Sequence, residues 1–253
     1  MSNLIYRFYE KTLERQLDKA TLPKHVGVIL DGNRRWAERQ PGTTARQGHA
    51  AGAAKIEEFL GWCSDLGIEV VTLYLLSTNN LSGRASSELN ELLEIIGELT
   101  KAIASSGVGR VKWVGDEAGL PAALIATLKD AERKTKTQTK LHVNLAVGYG
   151  GRQEIADAMR AIVKKHAKKS DSFEALADAL TPELIAKHLY TGGQPDPDLV
   201  IRTSGEQRIS DFLLWQSAHS EFYFEEALWP DFRRVDFLRA IRSFALRHRR
   251  FGS

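Results

Sequence analysis

The chain has 253 residues, 43% of them apolar and 26% charged, with a formal net charge of +3. That length suits one large α/β domain or two small ones, in an ordinary soluble composition. The small positive charge permits an anionic partner but gives no reason to expect nucleic acid, whose binders concentrate their basic residues more strongly. The single cysteine, Cys63, excludes an internal disulfide and a cysteine-built zinc site, and it suits a reducing cytoplasm. No apolar run approaches ~18 residues, so no bilayer span is expected. The start of the chain also lacks the apolar stretch and cleavage site of a signal peptide.

The first segment, "LIYRFYEKTLERQL", sets Leu4, Ile5, Phe8, Tyr9, Leu13 and Leu17 at helical spacing. It predicts an amphipathic helix within residues 1–20, packed on the body of the protein. Contact with a partner or with the inner face of the cell membrane is the alternative reading. After Pro23 short apolar runs alternate with amphipathic stretches. "HVGVIL", "IEVVTLYLL", "RVKWVG", "KLHVNLAVGYG" and "DLVIR" read as strands, apolar nearly throughout and therefore buried on both faces. "HAAGAAKIEEFLGWCSDLG", "SSELNELLEIIGELTKAIASSG", "LPAALIATLKDAERKTK", "GRQEIADAMRAIVKKHAKK" and "VDFLRAIRSFALRHRR" read as helices. The expectation is a single α/β domain over residues 21–253, with a central, mostly parallel sheet flanked by helices.

Ligands of such sheets gather beyond the carboxyl ends of the strands. Four strand ends carry unusual polar sets: "LDGNRRWA", "LSTNNLSGR", "GYGGR" and "IRTSGEQRIS". None fits a Walker A loop, a dinucleotide fingerprint or a nucleophile elbow. They are instead rich in arginine: Arg34, Arg35, Arg46, Arg84, Arg202 and Arg208 fall in or beside them. Guanidinium forks match phosphate oxygens, and a glycine turn entering a helix offers backbone N–H groups to the same anion. Two such sets suit two phosphorylated substrates, although any one of these arginines alone reads as a surface residue. Asp31, lying among them, either caps the helix that begins near Asn33 or holds a divalent cation with substrate phosphates. Glu221 interrupts the aromatic run "HSEFYF" and is the best second carboxylate, with a buried ion pair as its bland reading.

Taken together, "HVGVILDGNRRWA", Gly48-His49, "LSTNN", "GYGGR", "DPDLVIRTSGEQRISDFLLWQ", "SEFYF" and "LWPDF" resemble the cis-prenyltransferases, the undecaprenyl diphosphate synthase family. The likeness covers nearly the whole chain beyond the first twenty residues, with the motifs in family order. It implies a cytoplasmic homodimer that condenses an allylic diphosphate with isopentenyl diphosphate, using Mg²⁺ and releasing pyrophosphate. By that resemblance Asp31 engages Mg²⁺, with Glu221 as second metal carboxylate. Gly32, Asn33, Arg34, Arg35 and Trp36 form the motif around the allylic diphosphate, with Arg46 and His49 adding contacts. Arg202, Arg208, Ile209 and Ser210 fall on the isopentenyl diphosphate site. Asn80 falls where the family associates proton removal; an amide is a very poor base, so its expected role is orientation, with a phosphate oxygen as acceptor. Ser77, Thr78 and Asn79 are supporting contacts. Arg250 and Gly252 resemble a tail that in some members reaches the partner subunit's site.

The departures from the family pattern bear on product length. The usual F-S-[ST]-E-N-W motif is "LSTNNL" here, so Asn79 stands for the acid and Leu81 for the tryptophan, with one extra residue before Arg84. Long-chain members tend to carry a small residue where Leu75 stands, and a branched side chain there shortens the space for a growing tail. The helix from Ser86 to Ser106 is also slightly short. The combination resembles the actinobacterial short-chain members and implies a product such as (2Z,6E)-farnesyl diphosphate, made from geranyl diphosphate. A medium- or long-chain synthase and a non-catalytic partner subunit of this fold are the alternatives, and Leu75 as mere core filling is the bland reading.

Overall fold

A computed structural model describes residues 2–83, 86–168 and 172–251. In chain order the elements are α1 (Ser2–Gln16), β1 (His25–Ile29), α2 (Asn33–Glu38), α3 (Ala45–Leu66), β2 (Val70–Ser77), α4 (Thr78–Gly83), α5 (Ser86–Ser106) and β3 (Gly109–Val114). They continue as α6 (Ala122–Thr135), β4 (Leu141–Tyr149), α7 (Gly151–Ala167), α8 (Phe173–Ala179), α9 (Pro182–His188), β5 (Leu199–Arg202), β6 (Glu221–Phe224) and α10 (Arg234–Phe251). The strands form one sheet in the order β3-β4-β2-β1-β5-β6, and every pairing is parallel. The sheet is thus wholly parallel rather than mostly so. It also contains a strand that apolar patterning does not reveal, the four-residue β6.

The chain steps from β1 to β2, skips to the edge for β3, returns with β4, then crosses to the other side of β1 for β5 and β6. Ile29 is therefore in register with Tyr74 on one side and Arg202 on the other. That register aligns the loops after β1, β2 and β5 at one edge of the sheet, the usual place for a ligand crevice in such a fold.

Every residue of β1 and β5 is buried, as their mainly apolar runs require, including His25 and Arg202. On one face Phe59 of α3 packs edge-on against Trp229 at 5.6 Å and Phe237 of α10 at 4.9 Å. Ile29, Tyr149, Val200, Phe212 and Leu213 pack together in a second cluster. Three polar residues inside the sheet satisfy one another. His25 Nε2 lies 2.8 Å from Thr72 Oγ1, which accepts from Asn144 Nδ2 at 2.9 Å, and His25 Nδ1 donates to Pro195 O at 2.7 Å. Three central strands are tied together by this chain.

Local signals set the helix ends. Thr44 and Gln47 form a reciprocal capping box at the start of α3, and Gly67, at φ 76°, ends it. The N-terminal helix lies on the body of the protein, where Leu13 packs with Val235 and Leu238 of α10.

Candidate active site

Asp31 follows β1 and is held by its backbone: its N–H donates to Thr203 Oγ1 at 3.0 Å, and Thr203 donates back to Asp31 O at 2.7 Å. The next residue, Gly32, sits at φ 107°, where a Cβ would come within 2.8 Å of Leu228. Only glycine is at ease in that conformation and space. Gly32, not Asp31, is the N-cap of α2, and no side chain caps the helix. The capping reading of Asp31 is therefore corrected: its carboxylate faces the arginines.

Arg202, at the end of β5 and 4% exposed, donates through one terminal nitrogen to Asp31 Oδ2 at 2.7 Å. Its other terminal nitrogen donates to Ser210 Oγ at 2.7 Å and to Arg208 O, while its Nε is buried without a partner among the described residues. Arg35 approaches Asp31 Oδ1 at 3.6 Å and donates to Ser204 Oγ at 2.6 Å. Burial pulls the Asp31 carboxyl upward, but the hydrogen bond from Arg202 and the charges of Arg202 and Arg35 outweigh it. Its pKa lies below the ordinary 3.8, and the group is ionised at neutral pH.

Behind Asp31 the short helix α2 is pressed onto α3. A Cβ at Gly48 would meet Asn33 O at 2.4 Å, and one at Gly52 would meet Asn33 Oδ1 at 2.3 Å. Asn33 Oδ1 is buried with no hydrogen-bond partner among the described residues. Two glycines thus let α2 approach closely enough to bring Asn33 and Arg34 to the crevice.

A cavity of about 1000 Å³ opens there. Its polar lining comes from the strand ends and the short helices after them: Asp31, Asn33, Arg34, Ser77, Thr78, Asn79, Asn80, Arg208 and Ser210, with His49 from α3; Ile209 lines it too. Its apolar lining comes from α3, β2, α5 and Trp229, including Ile56, Leu75, Leu76, Ile96 and Leu99. Such an arrangement suits an anion that carries a hydrocarbon tail, since arginines and apolar walls sit in one cleft.

The remaining expected residues lie elsewhere. Arg46 turns to Glu94 of α5 at 2.9 Å, Trp36 Nε1 donates to Asp231 at 2.8 Å, and Leu81 packs on the core; none of the three lines the cavity. Glu221 opens β6 in register with Leu199, whereas Arg202 is in register with Phe224. Three strand residues, about 10 Å, separate the two levels. Glu221 meets Arg247 of α10 at 2.7 Å, so one chain does not bring the two expected metal carboxylates together. Arg84 and Gly252 lie outside the described residues, as does the side chain of Arg250.

Several residues of the site escape sequence reading, Gln153 among them. Glu88, in the first turn of α5, stands 3.7 Å from Arg34 and 3.6 Å from His49 Nε2. Arg152, of the quoted "GYGGR", and Asp211 both line the cavity. For Glu88 the only available signal was its place soon after a strand-end motif, which many surface acids share.

A parallel sheet that gathers arginines around one carboxylate, above an apolar pouch, defines a protein for tailed anions. A family model described as "Putative undecaprenyl diphosphate synthase" matches residues 29–252, and the chain belongs to that family of prenyltransferases. It is 56% identical to isoprenyl transferase 1 of Streptomyces avermitilis, over 100% of this chain and 98% of the relative. It is 55% identical to the (2Z,6E)-farnesyl diphosphate synthase of Thermobifida fusca (98% and 97% covered). To the short-chain Z-isoprenyl diphosphate synthase of Mycobacterium bovis it is 51% identical (98% and 95%). Among solved structures, lavandulyl diphosphate synthase from Lavandula x intermedia, in complex with dimethylallyl diphosphate, superposes with a TM-score of 0.84. The two are 34% identical, covering 92% of this chain and 100% of that one.

Proposed function

We propose that the protein is a short-chain Z-isoprenyl diphosphate synthase, joining isopentenyl diphosphate to geranyl diphosphate to give (2Z,6E)-farnesyl diphosphate and pyrophosphate. Residues 21–253 form the catalytic unit in this reading. One observation carries it: a single cavity where Asp31, Arg34, Arg202, Arg208 and Ser210 meet a pouch lined by large side chains, Leu75, Leu76, Ile96, Leu99 and Trp229. The names of the relatives at 51% and 55% identity support the same product class.

The allylic diphosphate lies along α2, taken by the backbone N–H groups of its first turn and by Arg34, Arg35 and His49. Isopentenyl diphosphate is held by Arg202, Arg208 and Ser210. The allylic carbon–oxygen bond breaks with its electron pair going to the departing pyrophosphate, whose charge the arginines stabilise. The double bond of isopentenyl diphosphate supplies the pair for the new carbon–carbon bond. A proton is then lost from the former isopentenyl unit to a diphosphate oxygen, with Asn80 orienting that unit.

Mg²⁺ fits this site through one carboxylate: Asp31, whose Oδ1 lies 3.6 Å from Arg35 while Oδ2 takes the short hydrogen bond from Arg202, with phosphate oxygens completing the shell. When bound it would neutralise charge on the leaving diphosphate. Glu221, paired with Arg247 a few residues down the strand, is not assigned to that ion within one chain. The reading extends to a cytoplasmic homodimer, with α1, whose Phe8 is 74% exposed, as the element that would touch a membrane face.

Incubation with radiolabelled isopentenyl diphosphate, Mg²⁺ and each allylic primer in turn tests the proposal. A fifteen-carbon product from geranyl diphosphate is expected. Products of ten or eleven units would refute the short-chain reading, and no turnover with any primer would refute the enzymatic one.

A further inference from the structure

The loop after β5 carries an unusual backbone. Ser204, Ser210, Asp211 and Leu213 have φ of 81°, 47°, 65° and 46°, left-handed residues that are not glycine, beside Gly205 at 75°. Aspartate is one of the few side chains that visits this region readily; serine and leucine are not. A segment bent this way persists only where its surroundings over-determine it, and such segments concentrate at functional sites.

Arg202 takes Arg208 O and Ser210 Oγ on one side of this loop, and Asp211 anchors its other side. Its carboxylate Oδ1 accepts from the N–H of Arg152 at 3.1 Å, and its carbonyl accepts from the N–H of Gly151 at 2.8 Å. Both donors belong to the first turn of α7, whose N-cap, Gly150, offers no side chain. Asp211 therefore supplies from the loop what that helix start lacks: two acceptors and a negative charge at the positive end of a 17-residue helix. The fit is close, since a Cβ at Gly150 would lie 2.8 Å from Asp211 Oδ2. The neighbours are fastened too. Tyr74 donates to Ser210 O at 3.2 Å and its ring stacks on Phe212 at 4.8 Å, while Phe212 and Leu213 are fully buried. Arg208, Ile209 and Ser210, just before this anchor, line the cavity.

We infer that Asp211 is a positioning residue that clamps the loop to the start of α7 and so holds Arg208 and Ser210 in place for the second diphosphate. It acts through the backbone of Ser210, its carboxylate being committed to α7. The inference rests on the proposed function for the identity of that diphosphate, and it predicts a selective defect. Asp211→Ala should raise KM for isopentenyl diphosphate at least about tenfold, while KM for the allylic diphosphate stays within about twofold. Asp211→Asn, which keeps an acceptor and tolerates the left-handed region, should restore most of the loss. Asp211→Gly, which relieves the backbone but removes the acceptor, should not.

Hydrogen exchange at Arg152 and Phe212, measured on the same variants, reports the clamp without turnover. It should be faster in Asp211→Ala and Asp211→Gly than in the unaltered protein. A normal KM for isopentenyl diphosphate in Asp211→Ala would overturn the inference. So would both KM values rising together alongside a fall in Tm shared by the Asn variant, or unchanged exchange. If the unaltered protein turns over no substrate, the functional reading fails instead, and the exchange arm still decides on the clamp.

Discussion

Acidification from about pH 7.5 to about pH 5 should cost the protein roughly 2 kcal/mol through one side chain, His25. Burial, only partly offset by its hydrogen bond to Pro195 and the charge of Asp198, lowers the pKa of His25 from 6.5 to about 4. Because the folded value is the lower one, the unfolded chain binds the extra proton. The stabilisation is whole above pH 6.5 and drains away as the pH falls toward 4. Each pKa unit is worth about 1.4 kcal/mol, so the full difference is roughly 3 kcal/mol, of which roughly two-thirds is spent by about pH 5. The geometry says why the ring resists charging. Nδ1 already gives its proton to Pro195, and Nε2 faces the hydroxyl of Thr72, which accepts from Asn144. Urea unfolding at the two pH values measures the loss. Other groups titrate as well, including buried Glu154, whose raised pKa works in the opposite sense. The informative quantity is therefore the difference between the unaltered protein and His25→Gln, which cannot titrate. The pH-dependent loss should be about 2 kcal/mol smaller in the variant; an equal loss in both would refute the reasoning.

Asp31→Asn should lower turnover at least roughly 100-fold while circular dichroism stays that of a folded protein, because Gly32, not Asp31, begins α2. Near-normal turnover would remove Asp31 from the chemistry. Leu75→Ala should lengthen the products by one or more five-carbon units, read by chromatography of the dephosphorylated alcohols; an unchanged product would make Leu75 a filler of space. Gly52→Ala forces a methyl to within 2.3 Å of Asn33 Oδ1 and should cost about 1–3 kcal/mol together with activity. Unaltered Tm and turnover would show that α2 moves freely.

The architecture was legible where burial imposes a pattern. β1, β2, β4 and β5 are mainly apolar runs because both faces are covered, the edge strand β3 keeps buried Val111 and Val114 beside exposed Arg110, and α3, α5, α6, α7 and α10 repeat on one face because the other meets water. β6 escaped because it has four half-buried residues, begins with an acid and lies at the sheet's edge. α8 and α9, seven residues each with no fully buried residue, had only their Ser172 and Thr181 caps to announce them. In the site, "DGNRR" and "RTSGEQRIS" identified the arginines, but their pairing did not follow from either stretch. That Arg202 meets Asp31 depends on β5 returning beside β1, a property of strand order. Arg46 and Glu221 show the converse: Glu94 draws the Arg46 side chain away, and the register of β6 sets Glu221 three residues below Arg202, beside Arg247.

The pairing of β1 with β5 also sets a timetable. Asp31 and Arg202 are 171 residues apart, and at about 5–20 residues per second a ribosome needs roughly 10–30 s to make the chain between them. During that interval β1 can pair with β2 but has nothing on its other side. A largely apolar strand then stands as a temporary sheet edge, and Asp31 lacks the guanidinium that holds it. The substrate crevice is thus among the last parts of the molecule to exist, and a nascent chain released before residue 199 would leave that edge open to self-association.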